Sequence, residues 1–218
     1  MLVRSQKHLA WLFFLAVAVV GVAAGVLIVE LRTPAQASEA QPPAMPVVSW
    51  AAGARPAPGF SLIDQQGKPV SIAGFRGRTV IVTFLDPLCR NLCPVEAKIL
   101  GLVESSLPAA ERPVILAVSV NQWGDARSIL RVDMQKWHVA ENWHWGVGPV
   151  ATLRKIWAAY KIGVADAPKT IDGVTIHNII HTEAAYVVDG RGYERALYVY
   201  PFLATDVEWT VRQLASSG

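Results

Sequence analysis

A chain of 218 residues, 52% of them apolar, has room for one membrane segment and one domain of ordinary size, and needs no second domain. Its formal charge of +3 is modest and unclustered, which argues against nucleic acid as a partner. There are two cysteines, and a chain of this size does not need a disulfide in order to fold.

Residues 1–8 read as a short cytoplasmic N-terminus. Leu9 to Val29 is an uncharged run of 21 residues, which as a helix spans about 32 Å and crosses a bilayer. Arg4 and Lys7 before it keep the N-terminus inside and export the rest, with Arg32 as a weaker opposing signal. Ala35-Gln36-Ala37 before Ser38 also resembles a cleavage site, but the apolar run exceeds the usual signal-peptide core of about 7–15 residues. The reading therefore favours an uncleaved transmembrane helix over residues 9–29. Residues 30–57 are rich in proline and alanine, without apolar period, and read as a partly extended linker ahead of a domain over residues 58–218.

Within that domain, Phe60 to Ile63 and Pro69 to Ile72 flank Asp64-Gln65-Gln66-Gly67, the pattern of a β-hairpin. Thr79 to Leu85 reads as a buried strand, and Pro94 opens a helical pattern running to about Leu107. Pro113 to Val120 is a second strand, followed by a helix from about Asp125 to Trp137 and an amphipathic helix from Pro149 to Ile162. After Gly163 comes a stretch without clear period, with a turn at Asp172-Gly173. Glu183 to Val188 and Tyr193 to Val199 form a second hairpin, and Thr205 to Ala215 closes the chain as a helix. Strands separated by helices imply parallel crossovers, hence an α/β fold: a central sheet with helices on both faces.

Both cysteines, Cys89 and Cys93, lie on the turn between the first of these strands and its helix. Free N–H groups at a helix start favour thiolate over thiol, and Arg90 is expected to push the same way. The spacing lets both sulfurs face one spot, to form a disulfide or to hold a soft metal ion. As a structural staple the pair is poor, since so short a loop contributes only about 2 kcal/mol against roughly 3 for a 15-residue loop. Reactive chemistry is the preferred reading.

These residues resemble the thioredoxin-like superfamily and, within it, the Sco/SenC copper-assembly family, over roughly Pro58 to Leu214. The most specific element is Cys89, three residues, Cys93 and Pro94, with a strand and Asp86 before it. Ser119 to Asp125 and Trp143 to Gly148 are similar to two further segments of the family. Family members often carry proline after the first cysteine and aspartate in the serine-valine segment, where this chain has Arg90 and Asn121. The resemblance implies a thioredoxin-like fold, with a mixed central sheet and an N-terminal β-hairpin. It also implies that His181, in the place of the family's metal-binding histidine, joins Cys89 and Cys93 as a ligand of a copper ion.

Two thiolates and an imidazole suit Cu(I) and are compatible with Cu(II) or zinc. His177 is the competitor to His181, while His138 and His144 read as packing or surface residues. Asp86 is expected to tune thiolate charge or to cap the turn. The implied protein is anchored in a bacterial cell membrane with its domain on the extracytoplasmic side. It would deliver copper to, or mature, the copper-site subunit of a respiratory oxidase or another copper protein, and would need a thiol-disulfide reductant to keep Cys89 and Cys93 able to bind metal. The alternative is a thiol-disulfide oxidoreductase with those two cysteines as its catalytic pair.

Overall fold

The computed structural model describes residues 46–139 and 142–216. The expected membrane span and most of the expected linker lie outside these residues. Among those described, no helix is long and apolar enough to cross a membrane.

In chain order the strands and helices are β1 (Val48–Ser49), β2 (Leu62–Ile63), β3 (Pro69–Val70), β4 (Val80–Leu85), α1 (Leu92–Ser106), β5 (Val114–Ser119), α2 (Arg127–Lys136), β6 (His144–Gly146) and α3 (Val150–Ala159). There follow β7 (Val164–Asp166), β8 (Lys169–Ile171), β9 (Val174–Ile176), β10 (Ile179–His181), β11 (Ala184–Val188), β12 (Glu194–Val199) and α4 (Ala204–Ser216). Six strands make the main sheet in the order β1-β12-β11-β4-β5-β6. β4, β5 and β6 run parallel, and β11, β12 and β1 join antiparallel, so the sheet is mixed.

The central strands β4 and β5 are buried on both faces, which is why they read as unbroken apolar runs. Pleating sends Ile81 and Leu85 to one side, where they pack with Leu100 and Val103 of α1, Leu130 of α2 and Val207 of α4. Val80, Val82 and Phe84 face the other side, against Leu153, Ile156 and Trp157 of α3 and Leu62 and Val70 of the β2/β3 hairpin. Helices thus cover both faces, as the element order implies.

Three features depart from the sequence reading. The first is β6, a third parallel strand, which the sequence reading does not include. It is three residues long, and Gly146 is needed there because an added Cβ would lie 2.7 Å from Leu62 Cδ1. The second is the stretch after Gly163, which folds as two nested ribbons: β7 pairs β10, and β8 pairs β9. The expected Asp172-Gly173 turn is present, with φ of 50° and 79°, both positive as a type I′ hairpin turn requires.

The third is a correction to the linker boundary. Residues 47–57 are fixed to the sheet: Val48 lies opposite Leu197, Trp50 N–H donates to Arg195 O at 2.9 Å, and Pro56 bridges to Tyr193. The physical reason is the outer edge of β12, whose backbone groups would otherwise stand unpaired, together with the buried carboxylate of Glu194, which takes Arg55 as its ion-pair partner.

Candidate metal and thiol site

Helix α1 starts at Leu92, two residues before the expected Pro94, with Asn91 as its cap: the Asn91 side chain accepts from Leu92 N–H at 2.8 Å. Pro94 is tolerated because its missing N–H falls in the first turn. Cys93 therefore belongs to that first turn, while Cys89 remains on the turn before it. Cys93 N–H donates to Cys89 Sγ at 3.4 Å, and Asp86 N–H donates to Cys93 Sγ at 3.4 Å.

The two thiols are unequal. Cys89 is partly exposed and its pKa is pushed down to about 6, first by a hydrogen bond from the Cys93 thiol and then, against the cost of burial, by backbone N–H groups of Asn91 and Cys93. Cys93 is fully buried, and its pKa is driven strongly upward by the same hydrogen bond and by burial. The free N–H groups of the helix start act as expected. Arg90 does not: its guanidinium is occupied by the carbonyls of Pro87 and Cys89, at 3.1 and 2.9 Å, and lies 3.6 Å from Asp133.

Asp86 is buried and caps the turn, accepting from Leu88 N–H at 2.7 Å and from the Asn121 side-chain amide at 2.8 Å. Burial pushes its carboxyl pKa up, and the two hydrogen bonds oppose that. The neutral amide of Asn121 suits this position, because an aspartate here would set a second carboxylate against Asp86.

His181 ends β10 and turns its Nε2 toward Cys93 Sγ, 3.5 Å away across 88 residues of sequence. Its Nδ1 lies 3.2 Å from the Thr182 carbonyl, which can only accept. The proton therefore sits on Nδ1, leaving the Nε2 lone pair directed at the sulfur. Burial holds the imidazole pKa below its ordinary value, favouring the neutral ring that a metal needs. His177 is placed elsewhere: it bonds Asp166 Oδ2 at 2.8 Å and stacks on Trp123 with centroids 3.5 Å apart. His144 pairs with Asp64 at 3.0 Å, and His138 is an exposed residue just past α2.

Among the described residues, the side chains whose donor atoms all lie within 4.8 Å of one another are Cys93, His181 and Glu183. Cys89 is not one of that group; its Sγ is tied to it through the Cys93 N–H, 3.4 Å away. Two acidic residues of this site escaped the sequence reading. Burial raises the Glu183 pKa to about 7, with the Cys89 charge adding to it. Glu96, on α1, is wholly buried, takes a hydrogen bond from Thr83 at 2.5 Å and is pushed by burial to about 8. The available signal was an acidic residue inside an otherwise apolar helix face, and another opening a buried strand.

A family model described as SCO1/SenC matches residues 51–215. The chain belongs to the SCO1/SenC family. Its fold is shared with the copper-bound ScoI of Bradyrhizobium japonicum, at 17% identity and a TM-score of 0.60, covering 72% of this chain and 98% of that one. Copper-bound yeast Sco1 is similar at 16% identity and a TM-score of 0.65, over 75% of this chain and 90% of that one. BsSco, described as a Sco-family cytochrome c oxidase assembly protein with a disulfide switch, matches at 18% identity and a TM-score of 0.61, over 79% and 97%. A search of curated proteins finds no match. For a family member, the thioredoxin-like fold inferred from the sequence is the one observed, with a mixed sheet covered by helices.

Proposed function

We propose that this chain is a membrane-anchored copper-binding protein whose Cys89, Cys93 and His181 hold the ion, and that it delivers copper to, or matures, the copper centre of a cytochrome c oxidase. The observation that carries this reading is the His181 imidazole, whose Nε2 lies 3.5 Å from Cys93 Sγ and whose pKa burial holds below its ordinary value. A purely redox pair has no need of it. Family membership supports the same reading, as do the copper-bound relatives and the assembly role given for BsSco.

Copper is the cargo here, and the residues fit it. Thiolate donors suit soft ions such as Cu(I), and imidazole suits copper as it does zinc, so the donor set fits the ion. Cys89, ionised near neutral pH, offers a ready thiolate; Cys93 must lose its proton as the ion arrives, so binding releases a proton. The cysteines sit on the rigid junction of β4 and α1, which fixes their separation, while β10 supplies the imidazole from the opposite side.

The asymmetry of the thiols supports a second reading, a thiol-disulfide oxidoreductase. The Cys89 thiolate would attack a partner disulfide and release one partner thiolate. Cys93, deprotonated in turn, would attack the Cys89 sulfur of the mixed disulfide and free the second. Two electrons pass to the partner, and Cys89 and Cys93 end as a disulfide.

Copper titration of the full-length chain, purified in detergent with reduced thiols, separates the two. Cys89→Ser and His181→Ala should each weaken Cu(I) binding by at least about tenfold, the lower end of what loss of a metal-supporting group costs, and His177→Ala should change little. Retention of Cu(I) affinity in His181→Ala, with disulfide exchange abolished by either cysteine substitution, would establish the oxidoreductase instead.

A further inference from the structure

The copper reading leaves Glu183 without a role, yet its side chain is placed as a ligand would be. Its backbone carbonyl accepts from Tyr200 N–H at 3.0 Å, and Ala184 beside it opens β11, so its position is set by the main sheet. Its carboxylate lies within 4.8 Å of both Cys93 Sγ and a His181 ring nitrogen. Its Oε2 is sealed from solvent and has no hydrogen-bond partner. The ionisable groups whose charge it meets are Cys89, Cys93 and Glu96, all of which carry negative charge when ionised. A buried carboxylate oxygen with no donor and no cation is costly, and a metal ion at this point removes that cost.

We infer that Glu183 is a fourth donor of this site, its carboxylate oxygen joining two thiolates and an imidazole on a bound divalent ion. The inference deepens the copper reading and rests on it. Its consequence concerns oxidation state. Cu(I) is satisfied by soft sulfur and imidazole donors, whereas Cu(II) favours more donors and accepts harder oxygen and nitrogen. Glu183 therefore strengthens binding of Cu(II) selectively.

The test is a pair of competition titrations, Cu(I) and Cu(II) separately, on the anaerobic, reduced full-length chain and on Glu183→Gln, with the electron paramagnetic resonance spectrum of the Cu(II) forms. The expected result is a loss of Cu(II) affinity of about 10- to 100-fold and an altered spectrum, the scale on which metal sites respond to loss of a carboxylate that merely supports a ligand. Cu(I) affinity should stay within about threefold, as its donors are untouched. Unchanged Cu(II) affinity and spectrum in Glu183→Gln, with binding still lost in His181→Ala, would overturn the inference while leaving the copper reading intact. An equal fall for both ions would also overturn it, since the side chain would then be supporting the site as a whole. Failure of the unmodified chain to bind either ion would overturn both readings. Should Glu183→Gln not fold, the infrared difference spectrum of the unmodified chain on adding Cu(II) decides: a shifted carboxylate band is expected, and its absence overturns the assignment.

Discussion

At the scale of single residues, the property that most determines the chemistry is the division of labour between Cys89 and Cys93. The same hydrogen bond lowers the first pKa and raises the second, so one sulfur is kept ionised and the other in reserve. In the reduced, metal-free chain, alkylation of Cys89 should rise with a midpoint near pH 6, with Cys93 reacting far more slowly because it is buried. The sign for stability follows from linkage. A folded pKa of about 6, below the ordinary 9.0, stabilises the fold fully above pH 9 and loses that contribution as pH falls through 6. Two thiols titrating together at ordinary values would remove the asymmetry on which both functional readings draw. His181 was legible in the sequence only through a family pattern; its tautomer depends on the Thr182 carbonyl, which no pattern reports.

At the scale of elements, long buried segments were legible and short exposed ones were not. β4, β5, α1, α3 and the β11/β12 hairpin announce themselves by apolar runs or helical period, because both faces or one face of each meet the core. β8 and β9 are exposed at all three of their positions, so burial leaves no alternation in the sequence to read. β1 is defined by a partner almost 150 residues away, Val48 against Leu197, and local composition cannot signal such pairing. That strand and the residues after it should matter to stability. Arg55→Ala leaves Glu194 buried without its cation and should cost about 1–3 kcal/mol, the range for a buried polar group stripped of its partner. In a domain of this size that lowers the melting temperature by roughly 2–4 °C per kcal/mol. Identical thermal unfolding of Arg55→Ala and the unmodified chain would show that residues 47–57 merely rest on the sheet.

At the scale of the whole molecule, the sequence led to the mixed sheet with helices on both faces because its order of strands and helices admits few topologies. The remaining expectation is topological. From the uncharged run Leu9 to Val29 and the cations before it, the domain should lie outside the cytoplasm on an intact N-terminal anchor. Reporter fusions after Gly218 should be active only for an enzyme that works outside the cytoplasm, and mass spectrometry should find the N-terminus uncleaved; a mature chain beginning at Ser38 would mean a secreted rather than an anchored protein. Extracytoplasmic placement would also make the reductant part of the function, since an oxidised pair has no thiolate to offer a metal.

The two sides of the site differ in mechanical standing. Cys93 is held by α1 and by the backbone of Asp86, at the end of a strand paired on both sides, whereas His181 closes a two-stranded ribbon paired only with β7. Fraying of a short surface ribbon requires far less free energy than disturbing a central strand. The imidazole can therefore swing away while the sulfurs keep their places, and on the proposed copper reading this would let the ion leave along a path that keeps the body of the protein folded.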